Sequence, residues 1–245
     1  MRLTHVIAAS VCAAAPLFSL PAAPAENASA ESVAEAIRRA DKTHPRLFAD
    51  AAGFAALRER TASTELGKLG LERLRFEVDQ MLAFPVCTRQ LEGRRLLGVS
   101  RRVLHRVSDL AMAFRLTGNR AYLDRAAAEM RAAAAFRDWN PSHFLDVAEM
   151  TLALAVGYDW LYNDLDEDAR KTIASAILEK GLKTSLKHTG WVSARNNWGQ
   201  VCHAGMLAGA LALMDQQEAL AADITRRAIV HLPLSMRAFA PKGSY

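Results

Sequence analysis

The sequence predicts an all-α protein built from helical hairpins. Three observations favour this class: apolar residues recur at helical spacing, turn residues separate the apolar stretches, and no segment alternates as a strand would. In successive pairs one helix is strongly apolar, as in 147–161 and 201–213, and its partner is more charged. Such pairs predict two layers, apolar inside and amphipathic outside, as in an incomplete (α/α) toroid.

The first residues have the pattern of a secretory signal peptide. Arg2 supplies a positive charge, residues 6–20 are largely apolar, and Ala23-Pro24-Ala25 is a small-x-small cleavage site. We therefore expect residues 1–25 to be a signal peptide and the mature protein to be periplasmic or secreted. The apolar run is shorter than a membrane span, and no later segment predicts one.

Residues 26–98 are predicted to form an N-terminal helical segment and a connector. A short amphipathic helix at 32–40 precedes a turn at His44-Pro45, and further helices are expected at 51–60 and 64–83. Residues 85–99 contain Pro85, Gly93 and Gly98 and predict the connector.

Residues 99–245 are predicted to contain three helical hairpins, the first part of a toroid domain. The first pair is 100–116 and 119–136, with Ser100 and Asn119 as expected N-caps. The second is 142–162 and 166–186, where Asp166 and two further acidic residues favour a helix N-terminus. The third is 197–214 and 216–231, before Pro233 interrupts the pattern.

The amino-acid composition argues against a disordered chain but excludes few classes of function. The chain has 245 residues, is 51% hydrophobic, and carries 31 basic and 26 acidic residues for a net charge of +5. The chain has one dense basic group, and it is short, so the sequence gives little support to nucleic-acid binding, while an acidic ligand is still possible. This group comprises Arg94, Arg95, Arg101, Arg102 and Arg106.

No HxxxH or CxxC spacing occurs, so no metal or cofactor is predicted. Cys87 and Cys202 could pair or stay separate thiols.

A polar stretch at 195–205 opens an otherwise apolar helix. Asn196, Gln200 and His203 share one helical face, and buried polar groups of this kind need hydrogen-bond partners. This face is therefore either a binding surface or a structural network. A second face carries small residues that allow a neighbouring helix to approach closely; they are Val201, Ala204, Gly205, Ala208 and Gly209.

Aromatic and polar residues also gather in the connectors that precede the two apolar helices. Trp139 and His143 lie in one connector, and Trp191 to Trp198 span the other. Indole faces can stack on sugar rings, and imidazole, guanidinium and amide groups can hold hydroxyls or carboxylates. The alternative is that the tryptophans close the ends of the hairpins by packing.

A set of short motifs occurs along most of the mature chain: 44–47, 139–145, Glu149, 157–161, 196–198, Val201, Gly205 and 241–245. Together they resemble the N-terminal part of heparinase II/III-type polysaccharide lyases and their alginate-lyase relatives. The resemblance implies an incomplete (α/α) toroid followed by a C-terminal β-sandwich, with β-elimination on a uronic-acid polysaccharide. A chain that stops at Tyr245 would then be an N-terminal fragment with little activity.

The resemblance also implies roles for particular residues. In such a lyase the proton at C5 beside the uronate carboxylate is removed, and hydrogen-bond donors neutralise that carboxylate. The catalytic candidates are Asn197, His203 and Tyr245, where the tyrosine would need a lowered pKa to act as a base. Trp198 stands where the family often has histidine. The expected substrate-binding residues are Trp139, His143, Tyr158, Arg195, Asn196, Trp198 and Gln200.

Two other functions stay open at this point. A glycoside hydrolase on an α/α barrel would need two carboxylates about 5–10 Å apart, and the candidates are Asp146, Glu149 and Asp159. A non-catalytic glycan-binding module or helical scaffold is the third possibility. The partner expected for the lyase is an acidic polysaccharide or oligosaccharide.

Overall fold

The computed structural model describes residues 29–237, which are mostly helical. The helices are α1 (Ala30–Arg39), α2 (Ala51–Ser63), α3 (Glu65–Ala83), α4 (Leu97–Thr117), α5 (Arg120–Ala134), α6 (Phe144–Leu161), α7 (Glu167–Ala176), a π-helical turn (Ile177–Leu182), α8 (Lys183–Lys187), α9 (Asn197–Ala212) and α10 (Glu218–Met236). Within this range the β-type pairing is one isolated bridge between Glu92 and Arg95. The all-α class is therefore confirmed. The predicted signal peptide and Tyr245 lie outside the described residues.

Side-chain caps explain where several helices begin. The predicted caps are confirmed at Asn119 and Asp166, whose side chains accept the backbone N–H groups of Ala121 and Ala169. The prediction for Ser100 was wrong, because α4 begins at Leu97 and places Ser100 inside the helix.

The helix also continues past Pro233, contrary to the prediction that this proline interrupts it. α10 runs to Met236 with Pro233 inside it. A proline removes one backbone hydrogen bond, but Ser235 is buried beyond it and packs against Gly199 of α9. The last turn of α10 therefore packs against the start of α9.

The three predicted hairpins form, and they pack as two layers. Helices α4, α6 and α9 lie side by side with α6 in the middle, while α5 packs against α4 and α10 against α9. Helix α7 and the π-helical turn also pack against α6. Because α6 is buried on all sides, nearly every one of its residues is inaccessible to solvent, which explains its largely apolar sequence.

Two glycines bring α9 against α6, as the small face predicts. A Cβ atom at Gly205 would lie 2.2 Å from the carbonyl oxygen of Ala148, and one at Gly209 would lie 2.6 Å from Cγ2 of Thr151. Ala208 is buried beside them, whereas Ala204 is exposed. The backbones of the two helices can therefore approach closely because no side chain stands between them at these points.

The N-terminal segment packs around the hairpins. Helix α1 contacts α10, and α2 and α3 contact α4.

Cys87 and Cys202 are both free and buried, so the disulfide that the sequence left open does not form in this structure. Burial raises the pKa of the Cys87 thiol to about 11 and that of Cys202 to about 12. No helix in the described range is long and apolar enough to span a membrane.

Candidate functional site

The N-termini of α4, α6 and α9 meet at one end of the molecule. The backbone N–H of Leu96, just before α4, donates to Oδ2 of Asp146 in the first turn of α6 at 2.6 Å. The rings of His143, before α6, and Trp198, at the start of α9, contact edge to face with centroids 5.1 Å apart. This end therefore combines three helix N-termini, where backbone dipoles favour negative charge.

We call the residues at this end the N-terminal rim; they are Arg94, Arg95, Ser142, His143, Arg195, Asn196, Asn197 and Trp198. A cavity of about 210 Å³ within the rim is lined by Arg94, Arg95, Ser142 and His143. Two guanidinium groups and an imidazole in one small cavity suit an anionic group such as a carboxylate.

Backbone interactions hold the arginines at the cavity. Arg95 and Glu92 exchange two backbone hydrogen bonds of 2.8 and 3.1 Å across a turn in which Gly93 has a φ of 60°. Asn140 donates from Nδ2 to the carbonyl oxygen of Arg94 at 2.8 Å. Asn140 itself has a φ of 59°, a left-handed conformation that asparagine adopts more readily than most residues.

The buried carboxylate of Asp146 organises the floor of the rim. Its Oδ2 accepts from Nδ2 of Asn140 at 2.6 Å as well as from Leu96, and its Oδ1 accepts from Nδ1 of His143 at 2.6 Å. Three donors offset the cost of burying this charge. Because Nδ1 of His143 is paired with Asp146, Nε2 is the ring nitrogen left to contact a ligand.

The start of α9 supplies the amides of the rim. Asn196 caps α9, and its side-chain oxygen accepts the backbone N–H of Trp198 at 3.1 Å. Arg195, Asn196 and Asn197 are exposed, and Trp198 is partly buried. The structure thus brings together five of the predicted site residues: His143, Arg195, Asn196, Asn197 and Trp198.

Two other predicted site residues, Trp139 and Gln200, make hydrogen bonds within the fold. Trp139 is 1% exposed, and its indole N–H donates to the carbonyl oxygen of Ala133 at 3.0 Å. Gln200 donates to the carbonyl oxygen of Ser235 at 3.3 Å. Trp139 therefore packs inside the fold, which is the alternative to sugar binding that the sequence left open. Its ring face is not accessible to a sugar.

His203 does not share a surface with Asn196, although both lie on one helical face. It is 1% exposed, and Nε2 contacts the carbonyl oxygen of Val192 at 3.0 Å, between the rings of Trp191 and His231. Burial lowers the pKa of His203, which favours its neutral form. Its position is that of a core residue.

Tyr158 lies near the opposite end of α6, about 22 Å from His143 at 1.5 Å per residue. It is 1% exposed, and its hydroxyl accepts a hydrogen bond from Gln216 at 2.7 Å. Burial raises its pKa to about 12. Tyr158 therefore cannot contact a ligand that occupies the rim.

The 44–47 motif fastens the N-terminal segment to that same opposite end. Oδ1 of Asp159 accepts from Nδ1 of His44 at 2.7 Å, while Oδ2 accepts the backbone N–H groups of Arg46 and Leu47 at 2.9 and 2.7 Å. Arg46 also donates to Asp215 at 2.9 Å. This network gives both oxygens of the buried Asp159 side chain hydrogen-bond partners.

The carboxylates proposed for a glycoside hydrolase do not form a free pair. Asp146 and Asp159 are thirteen residues apart on one helix, about 20 Å along its axis, beyond the spacing that the reaction needs. Glu149 accepts hydrogen bonds from Nε and Nη2 of Arg101, at 3.0 and 3.1 Å. Each candidate carboxylate already accepts hydrogen bonds from other groups of the protein.

Sequence reasoning missed two features of the rim. Arg94 and Arg95 were recognised only as members of a basic group, and Asp146 only as a carboxylate. The available signal was their position, because all three lie within a few residues of a predicted helix start. No protein-family model matches the chain, and a search of curated proteins finds no match either.

Proposed function

We propose that the N-terminal rim binds an acidic polysaccharide, and that the chain is the helical part of an exported lyase that cleaves uronate polymers by β-elimination. The hairpins would then be part of an (α/α) toroid. The observation that carries this proposal is the cavity in which Arg94, Arg95 and His143 meet beside the helix N-termini.

The charges of the rim match the needs of a uronate substrate. Arginine stays protonated at any physiological pH and can bind a carboxylate through two parallel hydrogen bonds. Asn197 is exposed at the first turn of α9, where both its amide and the helix dipole favour a negative charge. These groups would stabilise the charge that grows on the carboxylate as C5 loses its proton.

The reaction also needs a group that accepts the C5 proton. As the C5–H bond breaks, a double bond forms between C4 and C5, and the C4–O4 bond breaks with its electron pair on the leaving oxygen, which then takes up a proton. His143 is the imidazole of the rim, and Asp146 orients its ring. We assign His143 this role in preference to the buried His203; Tyr245 remains the candidate implied by the resemblance.

The binding test uses a uronate oligosaccharide and a neutral oligosaccharide of equal length. Calorimetry on the 245-residue chain should show binding of the uronate ligand alone, and Arg94→Ala or Arg95→Ala should weaken it at least about tenfold, the loss of one charge-assisted contact. Arg120→Ala is the matched control, because Arg120 is exposed at the start of α5, about 30 Å away along α4. Equal binding of both sugars, or equal loss in the control, would contradict the proposal.

The activity test follows the ultraviolet absorbance of an unsaturated sugar product. A lyase in which this chain is joined to the C-terminal β-sandwich that the resemblance implies should produce it from a uronate polymer. In that protein Asn197→Ala should lower turnover without changing the thermal midpoint. Reducing ends released from a neutral glycan without an unsaturated product would favour a hydrolase. Binding without either product would favour a glycan-binding module.

A further inference from the structure

Three side chains with metal-ligating atoms converge on the outer surface, away from the rim. One ligand atom each from Glu77, His105 and Asp109 lies within 4.8 Å of the other two. His105 and Asp109 are one turn apart on α4, with Nε2 and Oδ2 3.0 Å apart. Glu77 comes from α3, which packs against α4. Two helices therefore supply a compact set of one nitrogen and two oxygen ligands.

We propose that Glu77, His105 and Asp109 form a binding site for a divalent transition-metal ion, with Zn²⁺ the best match. Imidazole nitrogen and carboxylate oxygen are both zinc ligands, and three protein ligands leave one tetrahedral position for water. Bonds of about 2.1 Å place tetrahedral ligand atoms about 3.4 Å apart. Nε2 of His105 and Oδ2 of Asp109, 3.0 Å apart, therefore need to separate by about 0.4 Å, and the Glu77 oxygen, within 4.8 Å of both, needs to approach by no more than about 1.4 Å. The imidazole argues against Ca²⁺, which prefers oxygen ligands.

The surroundings leave these side chains accessible. The exposed fractions of the Glu77, His105 and Asp109 side chains are 20%, 46% and 25%, so an ion can reach them while the helices hold their backbones. Arg73 pairs with Glu77 at 2.7 Å but is itself 57% exposed. Such a surface ion pair contributes little stability, so a metal ion can displace it.

A neighbouring arginine, Arg106, already takes part in another hydrogen-bond network. Arg106 follows His105 along α4, but Nη1 donates to Oε1 of Glu129 at 2.6 Å and to the carbonyl oxygen of Pro85 at 2.8 Å. Its guanidinium is thus held in another network. A metal ion at the proposed site would join α3 to α4 and so tie the N-terminal segment to the first hairpin.

The test measures Zn²⁺ binding to the untagged chain by calorimetry and by competition with a chromophoric chelator. We expect one ion per chain, and a rise in the thermal midpoint with Zn²⁺ because the ion binds the folded state. His105→Ala and the isosteric Glu77→Gln should each weaken binding at least about tenfold. Thermal scans without metal check that each variant folds.

Matched controls separate this site from adventitious binding. His188→Ala removes an exposed histidine elsewhere, and Glu72→Gln removes an exposed carboxylate from the same helix as Glu77; both should bind Zn²⁺ as the wild type does. The proposal is overturned if Zn²⁺ does not bind, if the controls weaken binding as much as the site variants, or if Ca²⁺ binds as tightly as Zn²⁺. These readouts do not depend on any activity at the rim.

Discussion

The imidazole of His143 donates from Nδ1 to the carboxylate of Asp146, with the two atoms 2.6 Å apart. Asp146 is fully buried, whereas the side chain of His143 is 14% exposed at the rim cavity. The same carboxylate accepts the backbone N–H of Leu96. One residue therefore orients the ring at the candidate site and also joins the first hairpin to the second.

Asp146→Asn should destabilise the fold. The variant replaces one carboxylate oxygen with an N–H donor, so at least one of the three donors around Asp146 loses its partner inside the protein. We expect a loss of about 3 kcal/mol in the free energy of unfolding, measured by urea denaturation. Asp124→Asn on the exposed side of α5 is the control and should change it by less than about 0.5 kcal/mol. Similar values for the two variants would show that the Asp146 network contributes nothing.

Gly205→Ala should disrupt the contact between α9 and α6. The added methyl group would meet the backbone of Ala148, which cannot move as a flexible side chain can. We expect a loss of about 2 kcal/mol or more, read from the denaturation midpoint. Gly70→Ala in α3 has no atom within 4 Å of the added carbon and should stabilise the protein by up to about 1 kcal/mol, because alanine favours a helix. If both substitutions act in the same direction, the two helices do not approach as described.

His44→Gln should change how stability depends on pH. Burial and the Arg46 guanidinium lower the pKa of His44, but the hydrogen bond to Asp159 and the Asp215 carboxylate 3.7 Å from Nε2 outweigh them, and the pKa is raised. A raised pKa in the folded state gives stability that is complete below the unfolded pKa, about 6.5, and is lost as pH rises through the folded value.

The stability difference between the wild type and His44→Gln should therefore shrink as pH rises from about 6 to about 9. Urea denaturation at several pH values measures it. His188→Gln, at an exposed position, should show no such trend. A constant difference across this range would mean that His44 acts by packing alone.

Helix positions could be predicted because they depend on local chemistry. Asn119 and Asp166 were predicted as N-caps because a short polar side chain just before a stretch with helical apolar spacing typically caps the helix. Gly205 and Gly209 indicated a close helix contact for a similar reason. The prediction failed at Ser100, whose hydroxyl donates to the backbone carbonyl oxygen of Asp146 on α6 at 2.9 Å. A serine that makes such a bond cannot be told from a capping serine by its local sequence.

The rim was only partly predictable. Helical spacing places Asn196 and His203 on one face of the helix. It does not predict which residues of that face are exposed and which are buried. Likewise Arg94 and His143 are 49 positions apart in the sequence, and nothing local indicates that they line one cavity.

The amino-acid sequence by itself determined the helices and their pairing into apolar and charged partners, because periodicity, caps and glycines act within a few residues. The tertiary structure alone decided that three helix N-termini meet, that Asp146 holds His143 there, and that His203 and Tyr158 are buried. Those outcomes depend on long-range packing of α4, α6 and α9, in which the burial of one residue is set by side chains far away along the chain.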